Sequence, residues 1–437
     1  MSVEAIVFIM FSLLLVALFS GLPLAFAVGG VGVICLFWLW QPQAASIIVL
    51  VALDKCSSFI LLAVPLFIFM AMILERTGIP EDLYTSLYAW TSGLRGGLAM
   101  GTVVVGALMA AMVGIVGAEV VTLGIIALPG MLMYKYDKKI ALGTCLAAGT
   151  LGQLIPPSIL FIVYGAEAGL SVGKLFMGGF PAGLILACLF ILYIGTRSFI
   201  QKELCPVVPR EDRPSFRQKM ATLHRFIPPL FLIFAVLGSI YTGIATPTEA
   251  ASVGAVGAFL IGLAHRRMSW RVMKEAATRT FATTGMVMWV IIGASCFTVV
   301  FTALGAPEFI EQTITGLALG RWGVFTVMMF ILLILGCFLD PVCIILLTVP
   351  IFSPLLKVYQ FDPLWFGIAY VTNLQMSYIT PPFGFSLFYI KGVAPPDITM
   401  GDIYRSVWPF VLLQITGIVI MAIFPNAILW LPRMMIK

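Results

Sequence analysis

The chain has 437 residues, of which 61% are hydrophobic and only 10% are charged. A soluble domain has roughly a quarter charged residues, so this composition excludes a soluble globular protein and indicates a membrane protein. The net charge of +6 comes from basic residues in short loops, which is typical of the cytoplasmic loops of membrane proteins. The eight cysteines and two histidines have no spacing that indicates a zinc site or a disulfide framework.

About ten apolar segments are predicted to cross the bilayer, which takes about 20 residues per helix. The first segment is predicted to be a retained span, because no basic stretch precedes it as in a signal peptide. The segments cover residues 4–19, 22–40, 59–74, 140–163, 174–196, 226–243, 247–264, 282–303, 364–390 and 406–432.

Two further apolar stretches, 97–133 and 323–357, are too long to cross the bilayer once. Each has glycine near its middle: Gly114 in the first, and Gly336 close to Asp340 in the second. Each stretch is therefore predicted to be a re-entrant helical hairpin whose tip turns back at membrane depth. Non-helical backbone at that depth is tolerated only where it is buried in protein or lines a water-filled cavity.

A repeat of about 225 residues relates the two halves of the chain. Its landmarks are Gly78-Ile-Pro-Glu81 with Gly305-Ala-Pro-Glu308, Tyr136-Asp137 with Phe361-Asp362, Pro156-Pro157 with Pro381-Pro382, and Tyr164 with Tyr389. When the spans are counted along the chain, equivalent segments of the two halves cross the membrane in opposite directions. Two inverted repeats are therefore predicted. The predicted organisation is a first repeat at 1–196 (hairpin 97–133, broken helix 140–163), a cytoplasmic linker at 197–225, and a second repeat at 226–437 (hairpin 323–357, broken helix 364–390).

Basic residues predict the orientation in the membrane. The loop 197–225 is rich in arginine and lysine, so it is placed in the cytoplasm. Counting spans outward from this loop also places Arg95, Lys138 and His265-Arg266-Arg267 in the cytoplasm. Both termini are then predicted to be periplasmic, in a bacterial or archaeal cytoplasmic (inner) membrane.

The two double prolines interrupt apolar helices at equivalent positions. Proline has no amide hydrogen, so carbonyl groups one turn earlier lose their helical partners and become available to a hard cation such as sodium. The half-helix N-termini nearby offer amide hydrogens and a positive dipole end to an anion. Ordinary proline kinks are the alternative interpretation, and the repetition of the feature in both halves favours a transport site.

Ionisable and polar side chains within apolar segments are further candidates, because charges at membrane depth are usually functional. Asp340 is predicted to bind a cation or to stabilise its hairpin tip. Glu119 has chemistry suited to a cation or a proton, and Glu249 either caps a helix or takes part in transport. Candidates for contact with substrate or ion are Glu119, Gln153, Ser158, Asn373, Gln375 and Pro381; for Asn373 and Gln375 the alternative is hydrogen bonding between helices.

At these positions the chain resembles the large membrane subunit of tripartite ATP-independent periplasmic (TRAP) transporters. The strings that carry the resemblance are Pro65-Leu-Phe-Ile-Phe-Met70, Ile155-Pro-Pro-Ser158, Ala245-Thr-Pro-Thr-Glu-Ala-Ala251, Phe338-Leu-Asp-Pro341 and Ile379-Thr-Pro-Pro-Phe-Gly384. The resemblance implies an elevator-type fold in which hairpins and broken helices move against a scaffold. It also implies a small four-helix membrane subunit, a periplasmic substrate-binding protein and sodium coupling as partners in uptake.

The resemblance further implies two sodium sites and no other cofactor. The first would use Gly114, Gly117, Gly152, Ile155 and Pro156; the second would use Gly336, Asp340, Met376 and Thr380. One departure affects the first site. Family members usually have hydroxyl side chains at the first tip, whereas this chain has none between Val113 and Thr122.

The sequence thus predicts the permease subunit of a sodium-coupled, binding-protein-dependent importer of a small organic anion, with carboxylate, oxo-acid and sulfonate all open. The alternative within transport is a stand-alone sodium–carboxylate symporter of related fold. A membrane-embedded enzyme would need a nucleophile with a base, or a metal cluster, at membrane depth, and no such pattern is present in the sequence. A channel is disfavoured because inverted repeats with hairpins suit alternating access better.

Overall fold

The computed structural model describes residues 1–114, 116–317 and 319–435, and that part of the chain is built from α-helices and short 3-10 turns without a β-strand. Position 115 of the predicted first hairpin and residues 436–437 of the predicted second repeat lie outside the described residues. The helices before the linker are α1 Val3–Phe19, α2 Leu24–Leu39, α3 Ala45–Cys56, α4 Ala63–Arg76, α5 Ile79–Thr91, α6 Gly97–Val113, α7 Val116–Ile126, α8 Leu128–Met133, α9 Lys138–Thr150, α10 Ile159–Ala168 and α11 Val172–Ile200.

The rest of the chain begins with a short helix in the linker and continues with ten longer elements. These are α12 Phe216–Thr222, α13 Ile227–Tyr241, α14 Pro247–Ala264, α15 Trp270–Ala303, α16 Ala306–Gly316, α17 Arg321–Gly336, α18 Pro341–Val358, α19 Pro363–Ser377, α20 Phe385–Val393, α21 Met400–Ile423 and α22 Asn426–Met434. Within the described residues, seven helical stretches are long and apolar enough to span a membrane, or eight if α4 and α5, which meet at 60°, count as one. The expected all-α polytopic membrane architecture is confirmed.

The landmarks of the sequence repeat adopt matching local structures. Gly78 and Gly305 both have a left-handed backbone, with φ of +72° and +79°, at the bends between α4 and α5 and between α15 and α16. Glycine suits these bends because it adopts positive φ without a steric penalty. Asp137 and Asp362 both cap a helix, accepting hydrogen bonds from two backbone amides at the starts of α9 and α19. Equivalent sequence therefore produces equivalent bends and helix starts.

The helices form two packing groups. The first packing group contains α1–α4 and α13–α15, with α2 and α4 packed along α15 and α14 along α4. Its tightest contact joins α2 to α15, where a Cβ atom at Gly29 would lie 2.9 Å from the Cα of Gly293 and one at Gly32 would lie 2.7 Å from the backbone nitrogen of Phe297. Small residues allow this approach, which is how helices associate in lipid without a hydrophobic driving force.

The second packing group contains α6, α7, α9–α11 and α17–α22, and it includes both predicted hairpins and both broken helices. The arms α6 and α7 pack on α9, and α17 packs on α19. Each half also reaches across to the other, since α10 packs on α18 and α20 packs on α7. The two groups meet mainly where α15 contacts α18 and α4 contacts α6.

Three features differ from the predicted spans. Helix α3 was not predicted, because it has only 12 residues, but packing against α15 holds it in place. Helix α15 starts at 270 instead of 282, because its first turns are polar and hydropathy alone does not reveal them. The predicted single span 406–432 is two helices, α21 and α22, with Pro425 between them. Proline lacks the amide hydrogen that a continuous helix needs.

Ion pairs join the start of α5 to the end of the linker and to the loop after α14. Asp82 in α5 pairs with Arg225 at the end of the linker (3.1 Å) and with Arg267 after α14 (2.6 Å). Arg267 also donates hydrogen bonds to the carbonyl oxygens of Thr77 and Gly78, at 2.9 and 3.2 Å. The sequence analysis predicts that these loops lie on the cytoplasmic side of the membrane. The ion pairs show that the loops lie close together, and their cytoplasmic location stays a prediction.

Replacing Asp82 by Asn is expected to lower the thermal unfolding midpoint of the purified protein. The Asp82 side chain is only 8% exposed, and its loss of charge leaves two guanidinium groups without their anion. Because both arginines are partly hydrated, the expected loss is roughly 1–2 kcal/mol. Glu275→Gln is the control, since that carboxylate is 39% exposed and its partners Arg271 and Arg76 are 88% and 31% exposed. Equal midpoints for the two variants would contradict the proposed anchoring role.

Candidate substrate and cation site

The first helix break lies between α9 and α10 and is centred on the double proline at 156–157, whose peptide bond is cis. In a continuous helix these two residues would donate to the carbonyl oxygens of Gly152 and Gln153, and proline has no hydrogen to donate. The hydroxyl of Ser158 instead donates to the Gln153 carbonyl at 2.5 Å. Ile155 is buried and donates its amide to Leu151 at 2.9 Å. The Gly152 carbonyl is left facing the first hairpin tip.

The first tip approaches this break closely. Gly114 ends α6 with a left-handed backbone (φ +62°), and a Cβ atom there would lie 2.6 Å from the carbonyl oxygen of Pro157 and 4.0 Å from that of Gly152. Glu119 in α7 is fully buried, and its carboxylate fills the space that a Cβ atom at Gly152 would need. Tip and break therefore form one interface that contains a carboxylate and backbone carbonyl oxygens.

The carboxylate of Glu119 has no hydrogen-bond partner among the described residues. The amide groups of Gly114 and Gly152 lie near it without reaching hydrogen-bond geometry. A buried charge without a partner is costly, so a carboxylate in this position requires a bound cation or a proton. Oxygen ligands of this kind, a carboxylate with carbonyl groups, suit a hard cation.

The second break, between α19 and α20, satisfies its backbone differently. The double proline at 381–382, also cis, leaves the carbonyl groups of Ser377 and Tyr378 without their helical partners. These carbonyl groups accept hydrogen bonds from the backbone amides of Thr380 at 3.2 Å and Ser386 at 3.1 Å. Each carbonyl oxygen keeps a second lone pair for a further ligand. The freed carbonyl groups are thus partly paired within the chain at this break.

The second tip packs on the second break through a glycine. A Cβ atom at Gly336 would overlap the side chain of Ser377, so only glycine allows this approach. Asp340 caps α18, accepting a hydrogen bond from the amide of Val342 at 2.9 Å. The buried carbonyl group of Met376 accepts a hydrogen bond from the hydroxyl of Thr380 at 2.8 Å. Asp340 thus stabilises the tip, which was one of its two predicted roles, and its second carboxylate oxygen can still serve a cation.

The helices that lead into the two breaks touch each other. The side-chain amide of Gln375 lies 3.5 Å from the hydroxyl oxygen of Thr150, and these positions are separated by 225 residues, the spacing of the sequence repeat. Asn373 donates to the carbonyl oxygen of Met329 at 2.7 Å, which is the interhelical bond that was its alternative interpretation. Like the Glu119 carboxylate, the side-chain oxygens of Gln153, Asn373 and Gln375 are buried without a hydrogen-bond partner in the described part of the chain.

The charge of this region is entirely negative. The tips and breaks, residues 113–120, 335–342, 150–159 and 376–385, contain Glu119 and Asp340 but no lysine, arginine or histidine. An anion that bound here would meet two carboxylates and no cationic side chain. Charge balance in a low-dielectric region would then require a co-bound cation or protonation of the carboxylates.

Glu249 lies away from this region and has a local role. Its side chain accepts a hydrogen bond from the backbone amide of Thr246 at 2.8 Å, and the Thr246 hydroxyl accepts one from the amide of Glu249. This reciprocal pair is a capping box at the start of α14. The capping interpretation of Glu249 is therefore confirmed.

Two tyrosines near the tips were not among the predicted site residues. Tyr389 lies on α20 with its ring against Gly117 of the first tip, and Tyr378 lies in the second break. Tyr389 appeared in the sequence only as a repeat landmark, since its neighbour Gly117 is 272 positions earlier in the chain.

Comparison with known proteins identifies the family. The model of the tripartite ATP-independent periplasmic transporter, DctM component, matches residues 11–427. The chain belongs to this family. As a DctM component it is a membrane transport protein, and the name of its family makes it one part of a three-part system.

Individual proteins with the same organisation support this assignment. The DctM component described here is 33% identical over 396 residues to the C4-dicarboxylate TRAP transporter large permease protein DctM of Pseudomonas aeruginosa, covering 90% of this chain and 91% of that protein. It is 30% identical over 376 residues to the isethionate TRAP transporter permease protein DctMQ of Oleidesulfovibrio alaskensis, covering 86% and 58% of the two chains. The fold matches the YdaH transporter of Alcanivorax borkumensis with a TM-score of 0.63 at 15% identity, covering 89% and 90%.

Replacing Gly152 by Ala is expected to abolish or strongly reduce transport while the protein remains folded. The new methyl group would occupy the position of the Glu119 carboxylate and separate the tip from the break. Gly238→Ala is the matched control, because that helical glycine has nothing within 4 Å of its added Cβ atom. Uptake would be measured at equal amounts of both variants in proteoliposomes. Wild-type uptake by Gly152→Ala would contradict the close tip–break contact.

Proposed function

We propose that this DctM component imports a small organic anion together with sodium ions, driven by the sodium gradient. The observation that carries the proposal is the negative charge of the tips and breaks, with buried Glu119 and the capping residue Asp340 and no cationic side chain. Sodium binding at these carboxylates would neutralise the site and so create a place for an anion. Sodium and anion would then bind cooperatively, which is the basis of symport.

The proposed sodium sites retain the predicted residues. The first would combine the Glu119 carboxylate with the backbone at Gly114, Gly117, Gly152, Ile155 and Pro156. The second would combine Asp340 with the backbone and hydroxyl groups at Gly336, Met376 and Thr380. The anion would lie between the tips, close to the N-termini of α7 and α18, which are the positive ends of these helix dipoles.

The proposed mechanism is an elevator movement of the second packing group against the first. Both hairpins and both broken helices belong to the second packing group, so tips and breaks would move together with the bound anion. The groups are joined by few helix pairs, chiefly α15 with α18 and α4 with α6, which limits the contacts that must change. The ion pair between Lys55 of α3 and Glu167 of α10, at 2.7 Å, would break in such a movement.

The proposed partners are a small four-helix membrane subunit and a periplasmic substrate-binding protein, in a bacterial or archaeal inner membrane. The family name describes a tripartite periplasmic system, and the name DctMQ of one relative joins two components in one chain. The substrate class is proposed from the relatives named for C4-dicarboxylate and isethionate, which are a carboxylate and a sulfonate. Both anions present oxygen atoms to hydrogen-bond donors.

Uptake in proteoliposomes is the experiment that tests the proposed function. The chain would be reconstituted with its small subunit and supplied with labelled succinate, pyruvate or isethionate, each with and without binding protein and sodium gradient. Uptake that requires both is the expected result. Uptake that requires sodium alone would support the stand-alone symporter instead. Equal rates of uptake with and without a sodium gradient would contradict sodium coupling.

Replacing Asp340 by Asn is expected to reduce sodium-driven uptake at least tenfold without loss of folded protein. Asparagine still caps a helix, so the bond from Val342 is retained and only the charge that would bind sodium is removed. Asp362→Asn is the matched control, since Asp362 caps α19 in the same way on an exposed loop. A raised sodium concentration for half-maximal uptake in Asp340→Asn alone is the decisive measurement. Identical sodium curves for both variants would exclude Asp340 as a sodium ligand.

A further inference from the structure

The first hairpin tip has no hydrogen-bonding hydroxyl of its own. Residues 113–121 contain neither serine, threonine nor tyrosine, and the first hydroxyl after the turn belongs to Thr122. Glu119 is the sole polar side chain of this segment, and it points into the break toward Gly152. Its carboxyl group occupies the space beside Gly152 in the break. When it is ionised, with a cation bound, it accepts hydrogen bonds and cannot donate one to an anion. In that state a side-chain donor for an anion at this tip comes from another part of the chain.

Tyr389 of the opposite half reaches this tip. A Cβ atom at Gly117 would lie 3.2 Å from Cε2 and 3.4 Å from Cζ of the Tyr389 ring, so the end of the ring that bears the hydroxyl lies over the tip. The contact continues along the helices, because α20 packs on α7 and a Cβ atom at Gly124 would meet the side chain of Val393. Two glycines of α7 thus form a groove that holds the Tyr389 ring in place.

The equivalent tyrosine in the first half is packed quite differently. Tyr164 is 2% exposed, lies against Gly367 and has its ring centroid 5.1 Å from that of Tyr370, with the two rings tilted by 49°. Tyr389 occupies the same position of the repeat but is 40% exposed. The surrounding helices therefore enclose Tyr164 and leave part of Tyr389 accessible.

The Tyr389 hydroxyl is uncharged, so it brings a hydrogen-bond donor to the first tip beside the single ionisable group there, Glu119. A neutral phenol is well suited to this position, because it donates a hydrogen bond without adding charge.

We propose that the Tyr389 hydroxyl donates a hydrogen bond to a carboxylate or sulfonate oxygen of the transported anion at the first hairpin tip. The inference rests on the proposed function and assigns the anion contact within that site. Tyr389 is then a specificity-determining residue that replaces the hydroxyl missing from the tip itself. Gly117 has the supporting role of leaving room for the ring.

Tyr389→Phe tests the proposal because it removes the hydroxyl and keeps the ring on Gly117. Uptake of labelled succinate, pyruvate and isethionate would be measured against anion and sodium concentration for wild type and variant. The KM for the transported anion is expected to rise about tenfold or more, since a hydrogen bond to a charged group is lost. The sodium concentration for half-maximal uptake, measured at saturating anion, is expected to stay within about twofold.

Two further variants separate this role from a structural one. Tyr164→Phe removes the equivalent hydroxyl at a buried position and is expected to leave the anion KM unchanged. Gly117→Ala shifts the Tyr389 ring by crowding Cε2, so it is expected to raise the anion KM as Tyr389→Phe does. All variants would be compared at equal incorporation and equal thermal midpoint.

Two results would overturn the inference while leaving the proposed function intact. One is an unchanged anion KM in Tyr389→Phe. The other is a shift in sodium affinity alone, which would make the hydroxyl a cation ligand. If the wild-type protein transports none of the three anions, the proposed function fails and this inference fails with it.

Discussion

The missing amide hydrogens of two double prolines determine how the centre of this protein is built. At 156–157 and 381–382 the backbone cannot complete its helical hydrogen bonds, and at membrane depth neither lipid nor bulk water can replace them. The chain solves this problem by covering each break with a hairpin tip and by local donors such as Ser158 and the amide of Ser386. The hairpins, the broken helices and their contacts all follow from this requirement.

Glycine makes the covering contacts possible, and a different partner fills the space in each case. The carboxylate of Glu119 occupies the space beside Gly152, the hydroxymethyl group of Ser377 occupies that beside Gly336, and the ring of Tyr389 lies on Gly117. Because lipid offers helices no hydrophobic driving force, such close packing and polar contact hold the second packing group together. Under the proposed function, the polar groups that fill these spaces would also meet ions and substrate.

The same arrangement sets the charge of the region. Tips and breaks carry two carboxylates and no cationic side chain, so in the proposed symport a bound cation would accompany the anion. The halves are equivalent in backbone but not in chemistry: the first tip has a buried carboxylate without a partner among the described residues, and the second has a capping aspartate. The equivalent backbone gives the two halves a similar framework, and the side chains at the tips differ between them.

Hydropathy and proline pairs were sufficient to predict the all-α membrane fold and both breaks, and short motif strings carried the resemblance to the family. These features are local, since a run of apolar residues or a missing amide hydrogen acts within a few residues of its position. Helix α3 and the polar start of α15 escaped prediction, because tertiary packing and not hydropathy stabilises them. The contact of Glu119 with Gly152, the contact of Gln375 with Thr150 and the ring of Tyr389 on Gly117 were decided by the tertiary structure alone. Contacts between positions 33, 225 and 272 residues apart depend on how the helices pack in three dimensions, and no local pattern in the sequence records that packing.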